Sequence, residues 1–165
     1  MSEAHFVLAR LNSGHDRGEF HCGSEPLDRY LREQVTQDTR RRVTACFVAL
    51  THKQRIAGYY TLASASVPLL DLPQEMRKKL PRYPAVPAVR MGRLAVDLSF
   101  AGQGLGGALL ADAIARATNS EIAAYALIVD AKDERAAAFY YHYGFIALPD
   151  SSLMLFLPFV SISRM

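Results

Sequence analysis

The sequence predicts an α/β protein with a mixed central sheet of six to seven strands flanked by about four helices. Three observations predict it. Strand-like and helix-like segments follow one another along most of the 165 residues. Two apolar runs, 43 to 51 and 55 to 67, are separated only by His52-Lys53-Gln54, the pattern of an antiparallel hairpin. The stretch Arg93-Leu94-Ala95-Val96-Asp97 breaks into a glycine turn and then a helical stripe, and is followed by a continuous apolar run, 124 to 130, of the buried parallel kind.

Taken in order, residues 6 to 11 are expected to form a first strand. Ser24 is placed as an N-cap with Pro26 in the first turn. A helix or helix pair over 25 to 42 comes next, with Leu27, Tyr30, Leu31, Gln34 and Val35 as its apolar stripe and Arg29, Arg32, Glu33 and Thr36 opposite. After the hairpin, residues 68 to 88 carry Pro68, Pro73, Pro81, Pro84 and Pro87, which predicts an ordered loop around one short helix, Gln74 to Leu80. Leu110, Ala113, Ile114 and Ala117 have i, i+3, i+4, i+7 spacing and mark the helix after the glycine turn. A helix over Asp133 to Tyr143 and closing strands at 145 to 148 and 153 to 160 complete the chain, which is expected to be one domain spanning 1–165.

The glycine turn is the first sign of chemistry. A strand that ends in glycines at a helix start exposes backbone N–H groups where the helix dipole is positive, an arrangement that can hold a pyrophosphate without a cationic side chain. A plain tight turn would use the same glycines. Gly102, Gly104 and Gly107 fall at bare G-x-G-x-x-G positions, yet the dinucleotide fingerprint fits poorly, because Glu121, near the distance of its acidic residue, stands ahead of the next strand rather than at its end. No Lys-Ser/Thr pair comes after them, so the Walker pattern is excluded.

Composition sets the class. Half of the residues are hydrophobic and 21% charged, ordinary globular usage. No apolar run approaches the roughly 18 residues of a membrane span, and Met1 to His5 does not open a signal peptide, so the cytoplasm is the expected compartment. Cys22 and Cys46 lack metal-type spacing, and His5, His15, His21, His52 and His142 are scattered; no metal is expected. The net charge is only +3, yet the cations cluster at Arg40-Arg41-Arg42, at Arg77-Lys78-Lys79 with Arg82, and at Arg29 with Arg32. Solvated helix faces and a polyanionic partner both remain open.

The segment Ala101-Gly102-Gln103-Gly104-Leu105-Gly106, coming after a strand of the L-A-V type, resembles the R/Q-x-x-G-x-G/A loop of the GCN5-related N-acetyltransferase (GNAT) superfamily, with Ala101 in place of the opening Arg or Gln. A second superfamily block, N-x-x-A-x-x-L-Y-x-x-x-G-F, is matched by Asp133, Ala136, Phe139, Tyr140, Gly144 and Phe145. The resemblance implies the GNAT fold and acetyl-CoA as co-substrate, held by Gly102, Gln103, Gly104, Leu105, Gly106, Gly107 and Asp133. It also implies that Leu94, Ala95 and Val96 bond the pantetheine as an added strand, and that Tyr140 is the general acid that protonates the departing thiolate. On helical spacing Tyr141 lies about 100° away and Tyr143 nearly one turn on, which leaves Tyr140 facing inward.

Many lysine-directed members place a glutamate on the central strand, whereas residues 85 to 96 here contain no Asp or Glu. A lysine amine with a pKa near 10.4 needs help to lose its proton; an α-amine near 7.7 to 8.0 is already partly neutral. The acceptor is therefore expected to be a weak base.

A narrower resemblance agrees. The order Phe20 to Leu31 (F-x-C-G-x-x-x-L-D-x-Y-L), Ala57 to Val67 (A-G-Y-Y-T-L-A-S-A-S-V), Pro87 to Asp97 (P-A-V-R-M-G-R-L-A-V-D) and Asp130 to Lys132 is similar to the acetyltransferase toxins of toxin-antitoxin pairs. It implies acetylation of the α-amine of aminoacyl-tRNA, a block of translation, neutralisation by a ribbon-helix-helix antitoxin, and a homodimer. Arg40, Arg41, Arg42, Arg77, Lys78 and Lys79 would then meet tRNA phosphates. Acetylation of a small amine or a protein N-terminus, and a non-catalytic acyl-CoA-binding module, stand as alternatives.

Overall fold

The computed structural model describes residues 5–162. Its strands are β1 (Val7–Arg10), β2 (Ala45–Leu50), β3 (Ile56–Pro68), β4 (Ala85–Val96), β5 (Ala126–Asp130), β6 (Ile146–Leu148) and β7 (Ser151–Pro158). They form a mixed seven-stranded sheet in the order β1-β2-β3-β4-β5-β7-β6. The helices are α1 (Glu25–Arg29), α2 (Val35–Arg40), α3 (Gln74–Arg77), α4 (Leu105–Thr118), α5 (Glu134–His142) and α6 (Phe159–Ile162). The expected last strand thus starts two residues early and yields to α6 at Phe159, where the Phe159 amide donates to the Tyr125 carbonyl at 2.9 Å.

Two compact units are formed, one by the described residues up to Ala63 with Met91–Ala115, the other by Ser64–Arg90 with the residues from Arg116 on. In the first unit, β1 pairs antiparallel with β2, and β2 with β3, Val48 standing opposite Tyr59. The hairpin loop closes through Gln54, whose φ of 66° is left-handed. Phe20, Leu31, Val35, Val48, Ile56 and Tyr59 form the core on one face. The expected helix or helix pair runs as α1, a π-helical segment Tyr30–Gln34, and α2. In the π turn the Val35 amide bonds the Tyr30 carbonyl, five residues back. That extra residue rotates the stripe: Tyr30, Leu31 and Val35 are buried while Gln34, expected among them, is exposed and donates to Asp38 at 3.0 Å.

The segment Ala57-Gly58-Tyr59-Tyr60 ties both neighbouring helices to β3. The Tyr59 hydroxyl donates to the Leu27 carbonyl of α1 at 2.7 Å, and the Tyr60 hydroxyl donates to Asp112 on α4. Between them Gly58 leaves room for α4. A Cβ at position 58 would fall 2.8 Å from Leu109 Cδ1, 3.0 Å from the Ala95 carbonyl oxygen and 3.3 Å from Leu105 Cδ2. Leu105, Leu109, Leu110, Ala113 and Ala117 are buried, as the helical spacing predicts for the last three, and Ile114 is half-buried.

In the second unit, β7 pairs antiparallel with both β5 and β6; Ile128 and Ile146 both stand opposite Phe156, on its two sides. Val67, Leu72, Val86, Ala88, Ile128 and Phe156 pack into its core. The proline-rich connection folds as a short 3-10 turn at 69–71 and the single turn of α3, anchored where the Leu69 amide donates to the Pro84 carbonyl at 3.0 Å.

Gly58→Ala should therefore cost about 1–3 kcal/mol through overpacking under α4, lowering the melting temperature by several degrees in a thermal scan. An unchanged melting temperature would mean that α4 does not rest closely on Gly58.

Candidate active site

Asp97, the first residue past β4, anchors the turn beyond the strand. It is 1% exposed, and its carboxylate accepts from the Ser99 amide at 2.8 Å and the His21 amide at 2.9 Å, with the Arg55 guanidinium at 3.4 Å. The Asp97 amide donates to the Ala57 carbonyl at 2.8 Å, and the Leu98 amide to the His21 carbonyl at 2.9 Å. A second buried carboxylate, Asp28, accepts from the Cys22 amide at 2.9 Å and lies 3.2 Å from His21 Nδ1. Burial raises its pKa, but the bonds from Cys22 and His21 outweigh that and hold it below the usual carboxylate range. The two carboxylates clamp the 20–24 loop between α1 and the end of β4.

Beyond Asp97 the chain makes a 3-10 turn at 98–100 and enters the glycine loop. Gly102 and Gly104 have φ of +78° and +77°, the left-handed region that favours glycine, and a Cβ on either would meet nothing within 4 Å. Conformation rather than crowding demands glycine there, and the open side faces a ligand or solvent. The helix ladder starts where the Ala108 amide donates to the Gly104 carbonyl at 3.1 Å. Among the described residues, the amides of Gly102, Gln103, Gly104, Leu105, Gly106 and Gly107 find no acceptor. A row of unpaired donors at the positive end of a 14-residue helix fits a pyrophosphate. Leu94 and Val96 are half-buried and Ala95 is buried, so their side chains pack.

In the second unit, Asp133 caps α5: its side chain accepts from the Ala136 amide at 2.8 Å. Seven residues on is Tyr140, buried, with Tyr141 and Tyr143 46% and 42% exposed. The inward direction expected from helical spacing is the observed one. The G-F pair of the motif has a local cause. Gly144, at φ +94°, ends the helix with its amide on the Tyr141 carbonyl at 3.0 Å, and the Phe145 amide reaches the Tyr140 carbonyl at 3.2 Å. This Schellman turn folds Phe145 back onto the Tyr140 ring, centroids 5.3 Å apart, with Phe139 edge-on at 5.2 Å. The phenol has no hydrogen-bond partner among the described residues, and burial pushes its pKa up to about 12. It is a donor that keeps its proton at any physiological pH.

The basic clusters differ in their surroundings. Arg29 and Arg32 pair with Glu25 and Glu33, so much of their charge is spent within the helix. Arg40, Arg41 and Arg42 are exposed at the end of α2, where cations also suit the helix dipole. Arg77, Lys78 and Arg82 line an open cleft of about 860 Å³ together with Leu69, Leu70, Gln74, Tyr83 and Pro84; Lys79 stands outside it. Tyr83 and Leu70, 66% and 78% exposed, were not singled out by sequence. An exposed aromatic among cations suits a stacked base, and the cluster of prolines was the only sequence signal that this loop holds a shape. Among the described residues no group of three or more His, Cys, Asp or Glu is placed to hold a metal.

Residues 22–161 match the family model described as acetyltransferase (GNAT) domain. The chain belongs to that family. This acetyltransferase is 37% identical over 150 residues to a tRNA-acetylating toxin of Mycobacterium tuberculosis (strain ATCC 25618 / H37Rv), covering 90% of this chain and 89% of that one. It superposes on AtaT complexed with acetyl-methionyl-tRNAfMet with a TM-score of 0.89 at 30% identity, covering 97% and 98% of the two chains. It is also similar, at TM-score 0.79 and 26% identity over 97% of each chain, to a Tyr-to-Phe mutant of the AtaT toxin bound to the C-terminus of the antitoxin AtaR and acetyl-CoA. The acetyltransferase has no described helix long and apolar enough to cross a membrane.

Gly104→Ala forces an alanine into a left-handed conformation at about 1–2 kcal/mol. Acetyl-CoA affinity by calorimetry should fall roughly 5- to 30-fold as the amides turn away. Wild-type affinity in this variant would remove the loop from the binding site.

Proposed function

We propose that this acetyltransferase transfers the acetyl group of acetyl-CoA to the α-amine of an aminoacyl-tRNA. It thereby acts as a translation-blocking toxin of the cytoplasm, neutralised by a ribbon-helix-helix antitoxin. In this reading residues 1–165 serve as one domain, and the protein works as a homodimer. The likeness to a tRNA-acetylating toxin over nine tenths of the chain carries the reading, and the site's chemistry supports it.

Acetyl-CoA supplies an activated thioester. The amides from Gly102 to Gly107 hold its pyrophosphate, as the unpaired donors there suggest. The backbone of Leu94, Ala95 and Val96 binds the pantetheine arm. Asp133 contributes by fixing the start of α5, since its carboxylate is engaged as the cap. Tyr140 is the catalytic acid, keeping a proton for the thiolate that leaves. The acceptor loses its own proton to solvent, in line with a central strand that carries no carboxylate from 85 to 96. Arg77, Lys78 and Arg82, with Lys79 and the Arg40 to Arg42 cluster, meet tRNA phosphates, and Tyr83 offers a face to an unpaired base.

Tyr140→Phe should leave acetyl-CoA affinity intact and lower kcat by roughly 10²-fold or more; unchanged turnover would take Tyr140 out of the mechanism. Because an acid is needed protonated and Tyr140 is raised to about 12, kcat/KM should show no falling limb below about pH 10. It should instead rise with pH through the α-amine range near 7.7–8.0. A falling limb near neutrality would mean that another group donates. About four phosphate contacts predict that kcat/KM for charged tRNA falls with salt at a log-log slope of roughly −3; a flat response would favour a small amine as acceptor.

A further inference from the structure

We propose that a cavity of about 270 Å³ in the second unit receives the aminoacyl group of the acceptor and selects an uncharged, apolar amino acid. This rests on the proposed acylation of aminoacyl-tRNA and names which class of charged tRNA is taken. The floor is apolar, formed by Val67, Ile128, Leu148 and Met154. Asp71, Asp150 and Arg90 share the same lining.

Their charges are uncommitted. Arg90 is half-buried, yet among the described residues neither aspartate of the cavity comes within ion-pair distance of it, and it has no other partner. A cavity lined by unpaired charged groups together with apolar side chains fits a ligand that has both polar and apolar parts, as an aminoacyl ester does. The apolar part of the lining, Val67, Ile128, Leu148 and Met154, fits a hydrocarbon or thioether side chain, and a charged one would lose hydration against it.

Position agrees. Ile128 lies two residues before the end of β5, whose carboxyl end leads through residues 131–133 into α5 and Tyr140. Met154 stands opposite Asp130, the last residue of that strand. Ser151, at the start of β7, and Ser66, on β3, add hydroxyls to the wall.

The test is acetylation of a panel of purified charged tRNAs, with the intact chain and with Met154→Trp and Leu148→Trp, which fill the floor. The unaltered protein should give its highest kcat/KM with leucyl-, isoleucyl-, valyl- or methionyl-tRNA, at least tenfold above lysyl- or glutamyl-tRNA. The tryptophan variants should lose tenfold or more on the larger apolar acceptors relative to glycyl or alanyl ones, with acetyl-CoA affinity by calorimetry unchanged. Asp71→Asn with Asp150→Asn should raise KM more than it lowers kcat. A preference of the intact chain for glycyl- or charged aminoacyl-tRNA would overturn the inference, as would acceptor ratios left unaltered by both tryptophans. If the tryptophan variants do not fold, the preference of the intact chain and the aspartate pair decide the matter. Failure of the intact chain to acetylate any charged tRNA would overturn the proposed function itself, and is told apart from failure of the pocket by that control.

Discussion

Helix α4 can present a row of free amides only because β3 has no side chain at position 58. Leu105 and Leu109 occupy the space that a Cβ there would take, and the Ala95 carbonyl closes the same gap from β4. With the helix seated this close, the turn before it must cover a short distance, and it does so through two left-handed glycines. The donors are thus fixed before any anion arrives, which removes most of the ordering cost that a flexible loop would bear on binding. Tyr60 secures the same seat from a nearby position on β3 through Asp112.

Asp97 completes the constraint from the strand side. A carboxylate so deeply buried is tolerable only because two amides and a guanidinium meet it. Arg55 is held in turn over the Phe100 ring at 5.2 Å, so one side chain ties the hairpin loop to the strand end and the 3-10 turn. Arg93, earlier on β4, lies 3.4 Å above the Tyr30 ring, and the Tyr30 hydroxyl donates to Asp38 at 2.7 Å. The π-helical segment begins at that tyrosine.

The parts legible in the sequence were those whose cause is local. A glycine turn between a strand and an apolar helical stripe, a three-residue hairpin loop, and a tyrosine one helical step from its neighbours all depend on residues close in the chain. The same holds for the Gly144-Phe145 ending of α5. What could not be read depends on distant partners. Asp28 stands on α1 between half-buried Leu27 and exposed Arg29, and the approach of residues 21 and 22 supplies its partners. The π turn brings Tyr30, Leu31 and Val35 into a core shared with Ile56, Tyr59 and Ala95 of β3 and β4, and leaves Gln34 outside the apolar stripe. The cleft around Tyr83 and the lining drawn from Ser66, Arg90, Ile128 and Met154 assemble from separate segments without a common spacing. Ser24 shows the opposite limit: it occupies the N-cap position that its residue type predicts, yet its side chain makes no capping bond. Asp28 instead accepts from the Cys22 amide and lies within hydrogen-bond distance of His21.

The state of the two thiols bears on how such a protein coexists with its own substrate. A thioester is open to attack by any thiolate nearby, which would trap the acyl group on the protein. Burial raises Cys22 to about 11 and Cys46 to about 12. At neutral pH the ionised fractions are therefore on the order of 10⁻⁴ and 10⁻⁵. Neither sulfur competes with the intended acceptor: Cys46 is held neutral by its removal from water, and Cys22 by partial burial together with the neighbouring Asp28 carboxylate.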